Sequence, residues 1–209
     1  PTMIGSNADE ATTFLPMFKA FSEDPADSKT GMMAQAGIYL PEVLGDLEEF
    51  YPIQGDVDID ESWSNMFSDV LFTYPMRVWS RHMEKMESDA YLYWFTWAPP
   101  VEDSEQYGAF HAGEIGYIFG NLDLFGAQPT AKDEEFSEVM ATIWTQFAKT
   151  GNPNGKNLPQ WDAYSVENES YMELGVDTGQ KSQLRVGEMA LIEEAWRDRR
   201  AAGGVGESL

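Results

Sequence analysis

The run Tyr91-Leu92-Tyr93-Trp94-Phe95-Thr96-Trp97 sets large side chains at nearly every position. Neighbouring side chains of a strand point to opposite faces, so such a run needs cover on both sides and suits a mixed or parallel sheet. Pro99 and Pro100 stop it. Downstream, Phe136, Val139, Met140, Ile143, Trp144 and Phe147 recur three and four apart and predict an amphipathic helix. Thr130 with Asp133 caps its start, and Gly151 with Pro153 ends it. Upstream, Trp63, Met66, Phe67, Val70, Leu71 and Tyr74 predict another helix, which Pro75 kinks or restarts. Met76, Trp79, Met83 and Met86 continue its buried stripe, with His82 beside it as a surface or packing histidine.

Further out, residues 1–4 read as a short strand leading through a turn into a helix over 14–21. A polar loop from Glu23 to Gly31 precedes an interrupted helix over 32–44. A last helix is expected over 182–199, buried through Leu184, Leu191, Ile192, Ala195 and Trp196, with 200–209 fraying. Strands interleaved with helices make this an α/β protein. A chain that opens directly in a strand, with no initiator Met, reads as cut from something larger.

Composition removes several classes of function. Among 209 residues, 36 acidic and 13 basic side chains give a formal charge of −23. Nucleic acid is held by clustered Lys and Arg, which this chain lacks; Arg197, Arg199 and Arg200 suit the negative end of a C-terminal helix. Apolar residues at 43% and aromatics at 13% require a substantial core beneath the acidic surface. No apolar run approaches the roughly 20 residues of a membrane span. Without cysteine there is neither a disulfide nor a thiolate metal site, and the compartment stays open. Asp56, Asp58, Asp60 and Glu61 resemble half a calcium loop, yet the Gly and Glu that such a loop needs at its sixth and twelfth places are Glu61 and Phe67. A solvated turn capping the next helix is the better reading, and no metal or cofactor is implied.

With two histidines, a general base working near neutral pH is most economically His111 or His82. His111 has the better setting, among the small residues Gly108, Ala109, Ala112 and Gly113, although a hydrogen-bonded loop histidine would have the same surroundings.

Three segments together carry a resemblance. The stretch Phe110-His111-Ala112-Gly113-Glu114-Ile115, with Phe119, Gly120 and Asn121, resembles the histidine motif of the type-B carboxylesterase and cholinesterase family. Phe147-Ala148-Lys149-Thr150-Gly151-Asn152-Pro153-Asn154 resembles that family's run after its late helix, and Gly5-Ser6-Asn7-Ala8-Asp9-Glu10 resembles its acid-bearing segment. The three follow the family's order. The resemblance implies that residues 1–209 are the C-terminal portion of one α/β-hydrolase domain, incomplete without its N-terminal part. By position, Glu10 is implied to be the acid, His111 the base, and Glu114 a nearby carboxylate that pins the local backbone and hydroxyls.

In that fold the nucleophile precedes the acid and the histidine. A Gly-x-Ser-x-Gly elbow is absent here: the glycine pairs with that spacing, 116/120, 151/155 and 175/179, enclose Ile118, Pro153 and Asp177. The serine and the oxyanion-hole glycines are therefore expected on an N-terminal partner segment. Thr13 stands where a cholinesterase would place an aromatic ring, which argues against choline recognition; Phe14 and Phe110 are the candidates for lining an apolar acyl or alcohol pocket. Asp162 replaces the family's usual Pro after Trp161, in what reads as a surface turn. The expectation is a serine carboxylesterase, bacterial in type given its lack of cysteine, acting on small carboxylic esters and inactive as this fragment alone. A nucleophile-less binding or adhesion module on the same fold is the alternative.

Overall fold

The computed structural model describes residues 1–22, 24, 26–54 and 58–203. In chain order it holds β1 (Thr2–Asn7), α1 (Leu15–Ala20), α2 (Ser28–Tyr39), α3 (Leu47–Phe50), α4 (Ile59–Ser68), α5 (Tyr74–Lys85) and β2 (Ala90–Phe95). There follow α6 (Ser104–Tyr107), α7 (Ile115–Phe119), α8 (Ala131–Thr150), β3 (Ser170–Leu174), β4 (Gly179–Ser182) and α9 (Val186–Ala202). These divide into two compact units: Pro1–Glu10 with Met76–Leu184, and Ala11–Pro75 with Arg185–Leu209.

The first unit is built on a four-stranded sheet ordered β1-β2-β3-β4. β2 runs parallel to β1, from Thr2 opposite Ala90 to Asn7 opposite Phe95, and parallel to β3 on its other side; β4 closes the edge antiparallel. As the continuous bulk of β2 predicts, both its faces are covered. Tyr91 and Phe95 join Met172 and Leu174 beneath Tyr117, Phe136, Met140, Ile143 and Trp161. Ala90, Leu92 and Trp94 join Tyr164 and Tyr171 on the other face, against Met76 and Met83 of α5.

The strong expectation for α8 holds. Thr130 and Asp133 form a capping box, with the Thr130 N–H 2.8 Å from Asp133 Oδ2, and Gly151 ends the helix in the left-handed region at φ 72°. Asp133 is itself buried and also accepts from Tyr117 Oη at 2.6 Å and Trp97 Nε1 at 2.9 Å. Burial works against its charge, but these hydrogen bonds prevail and hold the carboxyl below its ordinary range.

The second unit is helical. Trp63 and Phe67 of α4 are buried at its centre, and Phe67 stacks on Phe18 at 4.1 Å and meets Tyr39 edge-on. Asp27 caps α2 and Asp58 caps α4, so the capping expectation for the acidic turn holds at Asp58. Asp56 lies outside the described residues. Asp69, 1% exposed, takes Tyr51 Oη at 2.8 Å and the Arg185 guanidinium at 2.9 Å. Arg199 grips Glu42 as a two-nitrogen fork and donates to the Tyr39 carbonyl, so it serves a tertiary contact besides its place near the helix end.

Three expectations need correction, and one at Pro75 holds. The helix expected over 32–44 starts at Ser28, where Asp27 accepts from the Thr30 N–H, and ends at Tyr39 before the short 3₁₀ turn at Pro41–Val43. The restart expected at Pro75 is present: a π turn over Asp69–Thr73 leads into α5, with Pro75 in its first turn, where a missing N–H costs little. Trp79 and Met86, expected in the core, are 53% and 73% exposed, because Ser80, fully buried, completes the face shared by Met76 and Met83. The last helix begins at Val186: Ser182 ends strand β4, and Leu184 packs under the sheet.

Candidate active site

β1 and β2 deliver two loops to the same place. Past the end of β1 the Ala8 N–H still bonds Phe95 O at 2.8 Å, and Asp9 pairs in parallel with Phe110 as an isolated bridge. The Asp9 N–H donates to Ala109 O at 3.1 Å, while its carboxylate accepts from the Ala109 N–H at 2.8 Å. Gly108 crosses this seam at φ 59°, where any Cβ would collide with the Asp9 carboxylate, so only glycine fits. Ala112, just after His111, is held at φ 67°, a conformation that costs an alanine about 1 kcal/mol. The Gly113 N–H closes the turn on Phe110 O at 2.9 Å.

This seam brings Glu10 and His111, 101 residues apart, into contact: His111 Nδ1 lies 2.6 Å from Glu10 Oε2. Glu10 is 5% exposed, and its other oxygen, Oε1, accepts the Asn7 N–H at 2.8 Å. Burial raises the affinity of Glu10 for a proton; the Asn7 N–H and His111 oppose that, Glu114 adds to it, and the net shift is upward. The imidazole is 43% exposed. With Nδ1–H given to the carboxylate, its basic lone pair is on Nε2, the arrangement a general base needs.

Glu114, at the head of α7, accepts from Asn7 Nδ2 at 2.7 Å and does not bond Glu10 or His111 directly in the contacts described. Phe110 is 5% exposed, edge-on to Phe125 at 5.5 Å and to Tyr107 at 6.4 Å. Phe14 belongs to the helical unit, half-buried and stacked on Phe72 at 6.4 Å with planes 6° apart. Thr13 is exposed, and Asp162 is an exposed turn residue bonded by Gln160 and Gln180. His82 rides on α5 and does not join the pair in the contacts described. Asn7 was missed in the sequence: an asparagine closing a strand reads as a turn residue, and its partners Phe110 and Glu114 are more than a hundred residues away.

Among the described residues no group of His, Asp and Glu is arranged to hold a metal ion, and no helix is long and apolar enough to cross a membrane.

The sequence model of the Carboxylesterase family matches residues 1–192. Carboxylesterase 5A of Canis lupus familiaris is 30% identical over 95% of this chain and 36% of its own length. The liver carboxylesterase of Sus scrofa is 28% identical over the same two shares, 95% and 36%. A solved thermophilic PNB esterase matches with a TM-score of 0.71 at 26% identity, over 92% of this chain and 38% of that one. The chain thus spans little more than a third of the length of these relatives. With its mixed sheet and flanking helices it has the α/β-hydrolase fold, and it belongs to the carboxylesterase family.

Proposed function

We propose that this chain is the C-terminal part of a serine carboxylesterase and supplies the acid and the base of its triad, Glu10 and His111. The observation that carries the reading is the 2.6 Å contact between His111 Nδ1 and a carboxylate that is otherwise buried. The nucleophilic serine and the oxyanion donors belong to an N-terminal part of the protein. The serine hydroxyl gives its proton to His111 Nε2 as Oγ attacks the ester carbonyl carbon. Glu10 stabilises the imidazolium that forms. As the tetrahedral intermediate collapses, the bond to the alcohol breaks and His111 returns the proton to the leaving oxygen. Water repeats the sequence on the acyl-enzyme. The substrate class is the small neutral carboxylic ester. Phe110, already covered by Phe125 and Tyr107, contributes by fixing the loop that holds His111.

The test is hydrolysis of short p-nitrophenyl esters by the full-length protein, its His111→Ala variant and residues 1–209 alone. Turnover by the first and none by the other two is expected. A His111→Ala protein as active as the parent overturns the reading, and an inactive parent with no serine at the elbow favours a binding module instead.

A further inference from the structure

We propose that Asn7 is the positioning residue of the Glu10–His111 pair, an inference that rests on reading that pair as catalytic. Asn7 is 1% exposed and ends β1 opposite Phe95. Its backbone N–H fixes Glu10 Oε1 at 2.8 Å, which leaves Oε2 turned to the imidazole. Its side-chain amide spends one N–H on Phe110 O at 2.8 Å and the other on Glu114 Oε2 at 2.7 Å. The Phe110 carbonyl belongs to the peptide bond that joins Phe110 to His111, and it also accepts the Gly113 N–H at 2.9 Å, so both its lone pairs are engaged. One residue therefore holds the acid through its backbone and the base through its side chain.

The chemistry selects asparagine. All three of its partners here are acceptors, a carbonyl and two carboxylates, so the site needs three N–H donors within one short residue. Aspartate has the same shape but would face a carbonyl and Glu114 with oxygens. Serine keeps one side-chain donor and alanine none. The bond to Glu114 also ties down a charge whose field raises the proton affinity of Glu10, so Asn7 sets where that field originates. Losing the amide frees the peptide before His111, and a displacement of about 1 Å at a catalytic group costs on the order of 10²-fold in rate.

The experiment compares full-length parent, Asn7→Ala, Asn7→Ser and Asn7→Asp, with His111→Ala and Glu10→Gln as controls. It reads kcat and KM on a p-nitrophenyl ester and the downfield proton resonance of the Nδ1–H···carboxylate bond. Asn7→Ala is expected to lower kcat about 10²-fold with KM nearly unchanged, and to shift or broaden that resonance in folded protein. Asn7→Asp, despite its matching shape, is expected to fare no better, and Asn7→Ser to fall between Asn7→Ala and the parent. Should Asn7→Ala not fold, Asn7→Ser carries the same comparison. Asn7 variants that keep parental kcat and resonance, while the controls lose turnover, overturn the inference alone. Controls that keep full turnover overturn the catalytic reading beneath it.

Discussion

Replacing Glu10 by Gln keeps shape and volume but changes which nitrogen of His111 can work. Oε1 of Glu10 receives the Asn7 N–H, a group that can only donate. In the Gln variant the amide oxygen must keep that position, so its NH2 falls at the site of Oε2, 2.6 Å from His111 Nδ1. Two donors cannot face each other, and Nδ1 becomes the acceptor. The imidazole proton moves to Nε2, the atom that the proposed mechanism needs free to accept the serine's proton. The variant thus loses both the charge that stabilises the imidazolium and the working tautomer. The same fault in a Ser-His-Asp enzyme costs about 10⁴-fold in kcat, or roughly 5.5 kcal/mol. Glu10→Asp keeps the charge but withdraws the carboxylate by one methylene, which predicts about 10²-fold. The assay is steady-state hydrolysis of p-nitrophenyl acetate by purified full-length protein, with folding checked by circular dichroism. A loss under tenfold in Glu10→Gln, or a Glu10→Asp variant worse than Glu10→Gln, would refute the tautomer reasoning.

Other substitutions test the packing. Asp69 has its carboxyl pushed up to about 6, by burial that outweighs Arg185 and Tyr51. The folded state then binds that proton more tightly than the unfolded chain, so between roughly pH 4 and 6 stability falls as pH rises, by about 3 kcal/mol in all. Urea unfolding of the parent and Asp69→Asn across this range should differ by that slope, and parallel profiles would dismiss it. Asp133→Ala removes the α8 cap and strands the Tyr117 hydroxyl and the Trp97 N–H; a loss of about 3 kcal/mol is expected in the same assay. Gly31→Ala sets helix propensity, worth about 1 kcal/mol in favour of Ala, against a Cβ driven into the fully buried Trp63 ring. The clash should win by about 1–2 kcal/mol, seen as a lowered Tm; a raised Tm would mean that Trp63 yields.

What the sequence discloses follows from how local each cause is. β2 and α8 are legible because burial on two faces and on one helical face leaves a repeating apolar pattern, and the Thr130–Asp133 cap is a four-residue event. β4, Gly-Gln-Lys-Ser, has no apolar residue; it exists because β3 offers it a ladder, with Lys181 paired to Glu173 at 2.6 Å. β3 is short and interrupted by Glu173, so it too stays hidden. In α5 spacing alone cannot say whether Trp79 or Ser80 turns inward, since both lie near the edge of the stripe. His111 can be singled out as a candidate base from its residue type and setting, but its pairing with Glu10 is readable only through motif resemblance, and Asn7 not at all, because two of its three partners are more than a hundred residues away and the third is met by its backbone N–H.

The described hydrogen bonds that set Glu10 against His111 are made by residues 7–10 and 109–114, at the end of β1 and on the loops after β1 and β2. The chain leaves this unit at Ala11 and rejoins it at Met76, so the helices between belong to the other unit and not to the one that holds the Glu10–His111 contact. Residues 11–75 can therefore change in sequence without removing any of the described hydrogen bonds that hold Glu10 against His111.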